Sequence, residues 1–432
     1  MPSVEQLLVR NEEYGKTRAA AETEKNRRGD FSLQVKVNGQ PVTAGSVFYR
    51  LKRIDFDFGC NIFMLNQHET PEMEQTWRTQ WLDLFNTAVI PFYWEGTEPI
   101  RGQLRYDADV PDDVYRRPPV DTTVRFCREH GLRMKGHPLY WQEFVPEWLP
   151  EDWESLFPLI EKRFAEISAR YADQIPVFDV VNEPSRLWDQ QYERKLSGRK
   201  YIFPPPDYLQ QIFSLAERYF PRNTLILNET AIASFCDCRG VYSGFYQLAD
   251  TLLRQGLRID CLGLQCHASE NPAYQNIYDA DRLYGVLDTY ADLGVPLVLS
   301  EIGLGLNSEE LQARAAEQLY RVCFSHPAMN GIFWWNLDDT GIHVDRRRNA
   351  DGENLPTSGL VRAGVPKQAY KVLRRLIREE WTSTGSVDIR DGSASFRGYY
   401  GTYELEIRME GVCRTVEADF LRRGRSDVSL CI

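Results

Sequence analysis

Eight short apolar runs recur between residues 56 and 336, and an amphipathic stretch follows most of them. The runs are Phe56–Phe63, Ala88–Trp94, Arg133–Trp141, Val177–Asn182, Thr224–Leu227, Cys261–His267, Pro296–Ser300 and Gly331–Asn336. Between them, sets such as Trp77, Trp81, Leu84, Phe85 and Leu156, Ile160, Phe164, Ile167, Tyr171 keep the spacing of one helix face. Gly131, Gly256 and Gly294 stand where such helices would stop before the next strand. Eight strand–helix pairs over roughly 320 residues predict an α/β chain closed into a (β/α)8 TIM barrel with insertions. A doubly wound open sheet is the competing topology, but no glycine-rich phosphate loop follows an early strand.

The two chain ends have a different period. Residues 1–30 are charged and helix-prone, with Val4, Leu7 and Leu8 on one side. Residues 31–55 alternate (Phe31, Leu33, Val35, Val37, then Val47, Tyr49, Leu51) about an Asn38-Gly39 turn, which predicts a hairpin. The barrel is assigned to 56–380. In 381–432 the alternation returns at Val387, Ile389, Tyr403, Leu405, Ile407, Val416, Ala418 and Phe420, predicting four or five short antiparallel strands. That tail is small for an independent core, so the 31–55 hairpin is expected to join it in one accessory antiparallel β-module. Tyr399, Tyr400 and Tyr403 could offer rings to a sugar; buttressing of the barrel is the preferred role.

A net charge of −11 argues against nucleic acid as a partner, because phosphate binding needs clustered cations, and Arg346-Arg347-Arg348 reads as a solvated loop. Nine cysteines form no regular framework, and Cys236-Asp237-Cys238 lacks a second pair at zinc-site spacing. Neither metal nor organic cofactor is expected. The N-terminus has no signal-peptide pattern and no apolar run is long enough to span a bilayer. The chain as given is therefore expected to be cytoplasmic with no membrane partner, or secreted if an export leader has been removed.

Barrel enzymes work at the C-terminal ends of their strands. Read in order, those ends carry Tyr93, Trp94 and Glu95; His137, Tyr140 and Trp141; Asn182 and Glu183; Asn228 and Glu229; Gln265 and His267; Glu301; and Trp334, Trp335, Asn336 and Asp338. Strands that only filled space would end in aliphatic residues and Gly. Glu183 and Glu301 close the fourth and seventh runs, on opposite sides of the predicted mouth. Two carboxyl groups facing across a cleft suit glycosidic bond cleavage, one as acid/base and one as nucleophile. The bland alternatives are structural ion pairs for the two glutamates, core histidines at 137 and 267, and a helix cap at Glu229. Trp334 and Trp335 are adjacent on a strand, so one faces the core.

The motifs Gly-His-Pro-Leu-Tyr-Trp (136–141), Asp-Val-Val-Asn-Glu-Pro (179–184), Leu-Gly-Leu-Gln-Cys-His (262–267), Ser-Glu-Ile (300–302) and Pro-Lys-Gln-Ala-Tyr (366–370) occur in this order. Together they resemble glycoside hydrolase family 10, best known for retaining endo-β-1,4-xylanases, over about residues 56–380. The resemblance implies Glu183 as acid/base and Glu301 as nucleophile. It implies that Asn182 binds the sugar 2-hydroxyl, that Gln265 and His267 flank the nucleophile, and that His137, Trp141 and Trp334 or Trp335 line the reactive-sugar subsite. A β-linked oligo- or polysaccharide is then the partner.

The chain departs from that pattern after the second strand. In the family a Glu-Asn…Lys group there fixes the next xylose; here Phe92, Tyr93 and Trp94 stand in its place, so rings are expected instead, with Tyr93 and Trp94 as candidate sugar contacts. Ile302-Gly303 lacks the acidic residue that often follows the nucleophile, and Asp-Asp-Thr-Gly-Ile-His (338–343) replaces a second tryptophan, with His343 a candidate to reach the cleft. Another β-linked glycan is thus an alternative substrate, and a non-catalytic carbohydrate-binding barrel is the alternative from a different class.

Overall fold

The computed structural model describes residues 2–107, 114, 116–187, 204–339 and 357–431. Eight parallel strands close into a barrel. In chain order they are β1 (Asp57–Asn61), β2 (Thr87–Pro91), β3 (Arg133–His137), β4 (Val177–Asn182), β5 (Thr224–Glu229), β6 (Cys261–Ser269), β7 (Leu297–Gly305) and β8 (Met329–Trp334). Each pairs with its sequence neighbour, and β8 closes on β1. The helices between them start on clear signals. Thr70 caps Pro71–Leu84 with proline at the first turn, Asp152 caps Trp153–Tyr171, and Ser308 caps Glu309–Ser325.

Alternation divides the strand side chains between two cores. Outward residues such as Phe58, Ile90, Phe178, Leu227, Leu264, Leu299 and Ile332 pack under the helices in one large apolar cluster. Inward residues Val89, Ile226, Cys261, Val298, Phe333 and Trp335 form a smaller cluster. The barrel is thus a packed core with its rim free for chemistry. No helix among the described residues is long and apolar enough to cross a membrane.

A second sheet takes strands from both chain ends. Its order is Val412–Phe420, Gly401–Met409, Ala44–Ile54, Thr384–Arg390, Ser393–Tyr399, Arg28–Val37 and Asp427–Cys431, with Gln40–Pro41 beside Arg28–Val37. It is antiparallel except for Asp427–Cys431, which runs parallel to Arg28–Val37. Phe31 stacks on Phe420 at 4.5 Å although their strands are far apart in this order, so the sheet curls around its own core.

This module docks at the N-terminal end of the barrel, away from the mouth. Trp381 stacks on Phe324 at 4.1 Å and on Phe58 at 5.5 Å, and the buried Arg27 guanidinium donates to the carbonyls of Phe324, His326 and Met329. Of the three tyrosines considered for sugar binding, Tyr399 and Tyr403 are buried, and the Tyr403 hydroxyl donates to the Tyr399 carbonyl at 2.6 Å. Neither ring faces solvent.

Candidate active site

Both candidate carboxylates follow a break in strand register. β4 pairs Asp179 with Ile226 and then Val181 with Leu227, leaving one residue bulged. β7 shifts against β6 between Leu299 and Glu301. Such a bulge re-aims the side chains that follow it. Glu301 pairs with Gln265 while Ile302 joins the outer apolar core. Glu301 therefore lies within its strand, not at its end as the sequence pattern suggested, because β7 continues to pair with β6 as far as Gly305 and Ser269.

Glu183 leaves β4 with φ 53° and ψ 52°, a left-handed conformation uncommon for a side chain of this size. Its turn is braced from β5. The Glu183 N–H donates to the Asn228 carbonyl at 2.8 Å, and the Glu229 carboxylate accepts from the N–H groups of Ser185 (2.9 Å) and Thr230 (2.7 Å). Glu229 is fully buried, and that burial raises its pKa against the pull of those two N–H groups. It acts as a local brace with both oxygens occupied by backbone.

Three amides connect the two glutamates. Gln265 Nε2 donates to Glu183 Oε1 at 3.0 Å and to Asn182 Oδ1 at 3.3 Å. Asn228 Nδ2 donates to Asn182 Oδ1 at 2.7 Å and to Glu301 Oε1 at 2.8 Å. Gly263 makes room for this: a Cβ there would lie 2.3 Å from Asn228 Oδ1. On the other side of Glu301, His267 Nε2 stands 3.2 Å from Oε2, and His137 Nε2 is 3.9 Å from Oε1. A carboxylate oxygen only accepts, so a hydrogen bond across this gap requires Nε2 of His267 to carry the proton. Gly303 leaves space for that ring, since a Cβ there would meet His267 Nδ1 at 2.7 Å.

A buried charge array sits beneath His137. Its Nδ1 lies 2.7 Å from Asp179 Oδ2, which also receives Lys135 Nζ at 2.5 Å. Burial works to raise the Asp179 pKa, but the Lys135 ammonium and the His137 ring outweigh it and hold the group below the usual carboxylate range. Asp179 thus orients His137. Sequence reading assigned neither Lys135 nor Asp179 a role. The available signals were the place of Lys135 two residues before His137, on the same face of β3, and that of Asp179 at the start of the Asp-Val-Val-Asn-Glu motif.

The Glu183 carboxyl is pushed up to about 8, first by burial and then by the charge of Glu301, against the lowering effects of Gln265 and Arg186. Arg186 Nη1 is 3.9 Å from Glu183 Oε2. One carboxyl is thereby held protonated at neutral pH opposite one that is hydrogen-bonded on both oxygens.

The aromatic candidates divide. Trp335 enters the mouth, with ring contacts to His137 (5.3 Å), His267 (6.1 Å) and Phe63 (5.4 Å). Trp334 points the other way, packs near Tyr320 and donates to the Ser358 carbonyl. Trp141 lies half-buried beside Tyr93 and Phe144. Trp94 does not reach the mouth: it is buried in the outer core against Trp148 and Arg163, donating to Glu98 Oε2 at 3.1 Å. The expectation that it would meet sugar fails because β2 ends at Pro91, and a short helical turn from Trp94 to Thr97 swings the ring outward. Tyr93 is at the mouth but only 2% exposed. His343 lies outside the described residues. Among the described residues, no cluster of His, Cys, Asp and Glu could hold a metal ion.

The glycosyl hydrolase family 10 model matches residues 103–373. The chain belongs to this family. Endo-1,4-beta-xylanase 2 of Arabidopsis thaliana is 25% identical over 335 residues, covering 76% of this chain and 28% of the relative. The anti-sigma-I factor RsgI6 of Acetivibrio thermocellus is 28% identical over 345 residues, covering 76% of this chain and 39% of the relative. The chain thus spans 28% of the first relative's length and 39% of the second's. Family 10 structures share its fold: xylanase 10B from Thermotoga petrophila RKU-1, solved with xylobiose, aligns with a TM-score of 0.59 at 19% identity, covering 76% of this chain and 94% of that one. Native xylanase 10B from Thermotoga maritima aligns with a TM-score of 0.57 at 20% identity over 76% of this chain and 95% of that one.

Proposed function

We propose that this family 10 barrel is a retaining glycosidase that cleaves β-1,4-xylosidic bonds in xylan or xylo-oligosaccharides. The observation that carries the reading is the unequal treatment of its two carboxyls. Glu183 is pushed up to about 8, while Glu301 accepts from Asn228 and faces His267. In the first step a Glu301 oxygen attacks the anomeric carbon as Glu183 gives its proton to the departing oxygen. In the second, Glu183 takes a proton from water, which attacks the glycosyl ester and frees Glu301. Asn182, held by Gln265 and Asn228, would meet the 2-hydroxyl of the reactive sugar, and His137, His267 and Trp335 would line its pocket. No step calls for a metal or an organic cofactor.

The choice of xylose rests on family membership and on the relatives named as xylanases. A second reading keeps the mechanism and changes the glycan, because the residues after β2 present Tyr93 where the family pattern has polar groups. A panel of aryl β-xyloside, xylobioside and glucoside separates the two: release from the non-xylose glycoside alone would exclude the xylan reading. A proton NMR time course should show the β-anomer of the product first, and an initial α-anomer would exclude retention. A carbohydrate-binding barrel without catalysis would show no turnover, and its affinity would survive Glu301→Gln.

A further inference from the structure

We propose that Arg117 and Tyr93 close the cleft one sugar beyond the reactive subsite, so that this barrel removes single sugars from the non-reducing end of its substrate. The inference rests on the retaining-glycosidase reading and names the mode of attack. Glu183, just after β4, protonates the leaving oxygen, so the leaving chain lies on the β4–β5 side. Any further sugar on the other side of the reactive one must run toward β8, β1 and β2. That direction is filled. Phe63 follows β1, Tyr93 follows β2, and Trp141 and Phe144 follow β3. The Tyr93 ring has edge or tilted contacts with Phe63 (5.7 Å), His137 (5.5 Å), Trp141 (5.9 Å) and Phe144 (5.3 Å).

The Arg117 guanidinium carbon lies over the same ring, 3.8 Å from its centroid, and within 5.1 Å and 5.2 Å of the Phe63 and Phe144 centroids. A ring that stacks a sugar must offer a face to the empty cleft; Tyr93 gives a face to a cation. The plug is anchored. Arg117 Nη1 donates to the Arg116 carbonyl at 2.9 Å, the Arg117 carbonyl accepts from Arg105, and its side chain packs against Gly96. Arg116 Nη2 donates to Asn336 Oδ1 at 2.6 Å, and Asn61 Nδ2 reaches that oxygen at 3.2 Å, tying the segment to the ends of β8 and β1.

The test measures direct aryl release from aryl β-xyloside, β-glucoside, β-xylobioside and β-cellobioside, together with product sizes from reducing-end-labelled xylopentaose and cellopentaose. The expected result is kcat/KM for a monoside at or above that for its bioside, and labelled chains that shorten one sugar at a time. Arg117→Ala should raise the bioside-to-monoside ratio tenfold or more; the labelled ladder needs no variant and stands if Arg117→Ala fails to fold. A wild-type preference of tenfold or more for a bioside, or a two-sugar first product, would overturn the plug and leave the retaining mechanism intact. So would a folded Arg117→Ala protein with an unchanged ratio. Absence of turnover on every glycoside removes the retaining reading and this inference with it.

Discussion

The two halves of the barrel mouth are built from different materials. Over β4 to β7 the groups are carboxylates, amides and an imidazole, and hydrogen bonds run from Glu183 through Gln265, Asn182 and Asn228 to Glu301. Over β1 to β3 they are rings packed edge to face around Tyr93, with Arg117 laid across it. The polar half is positioned by strands, where each side chain's direction follows from register. The ring half sits on connections after the strands, where direction depends on what packs on top. On the proposed function, reaction chemistry would fall to the first half and choice of substrate to the second.

The sharpest way to break this division is to remove the proposed nucleophile. Glu301→Gln keeps the shape and hydrogen-bonding capacity of the polar half but cannot form the glycosyl ester. Steady-state kcat on an aryl glycoside should fall roughly 10⁴–10⁶-fold, the scale of losing a nucleophile. A fall of less than tenfold would remove the division of roles between the carboxyls.

Glu183→Gln comes next, with two readouts. Loss of acid/base function should cost roughly 10²–10⁴-fold in kcat/KM for a poor leaving group, and the wild-type alkaline limb should fall at about 8, where the Glu183 carboxyl is held. The second readout is stability. The folded pKa of Glu183 lies above its ordinary value of 4.5. Between these pH values the unfolded chain has lost the proton that the folded chain keeps, so stability declines as pH rises through that window. Glu183→Gln abolishes the dependence. Its Tm should exceed the wild-type Tm by a margin that grows from pH 5 to pH 8, corresponding to about 2–4 kcal/mol at the upper end. A margin that shrinks with pH would show that Glu183 is not held protonated.

What was legible in the sequence follows the same line between halves. Eight short, continuously apolar runs separated by helical spacing specify a barrel because each strand is covered on both faces and each helix buries one apolar face. Glu183 and Glu301 stood out because an acid at the end of such a run has no place in the core. Trp334 and Trp335 could be assigned to opposite faces, but choosing between them needed Phe333 and Trp335 seen together inside the barrel. Trp94 misled because the apolar run continues past the end of β2 at Pro91, and strand direction no longer governs where its ring points. Arg117 gave no signal: it lies in a connection and meets Tyr93 through tertiary packing, with no periodic pattern to mark it.

Asn228→Ala tests whether the amide chain itself matters. The variant takes one hydrogen bond from Glu301 and another from Asn182 while leaving the backbone carbonyl that holds Glu183. A hydrogen bond to a charged group contributes about 1.5–3 kcal/mol, so kcat/KM should fall roughly 10–100-fold. Pre-steady-state measurement should place the loss in glycosyl-enzyme formation. A change confined to KM would mean that Asn228 only shapes the pocket.

The smallest effects should come from the tryptophans, and they separate the halves most finely. Trp94 and Trp335 are both almost fully buried, so exposure does not distinguish them. Their indole N–H groups do. Trp94 Nε1 donates to Glu98, whereas Trp335 Nε1 has no acceptor among the described residues and lies in a ring cluster with the site histidines. Trp94→Phe strands a buried acceptor and should lower Tm by several degrees with kcat/KM within about twofold. Trp335→Phe removes no hydrogen bond to a described residue, so its mark should be a rise in KM of roughly threefold to tenfold with a smaller fall in Tm. If the two variants exchanged these signatures, Trp94 would have to face sugar, and the boundary drawn at Pro91 would be in the wrong place.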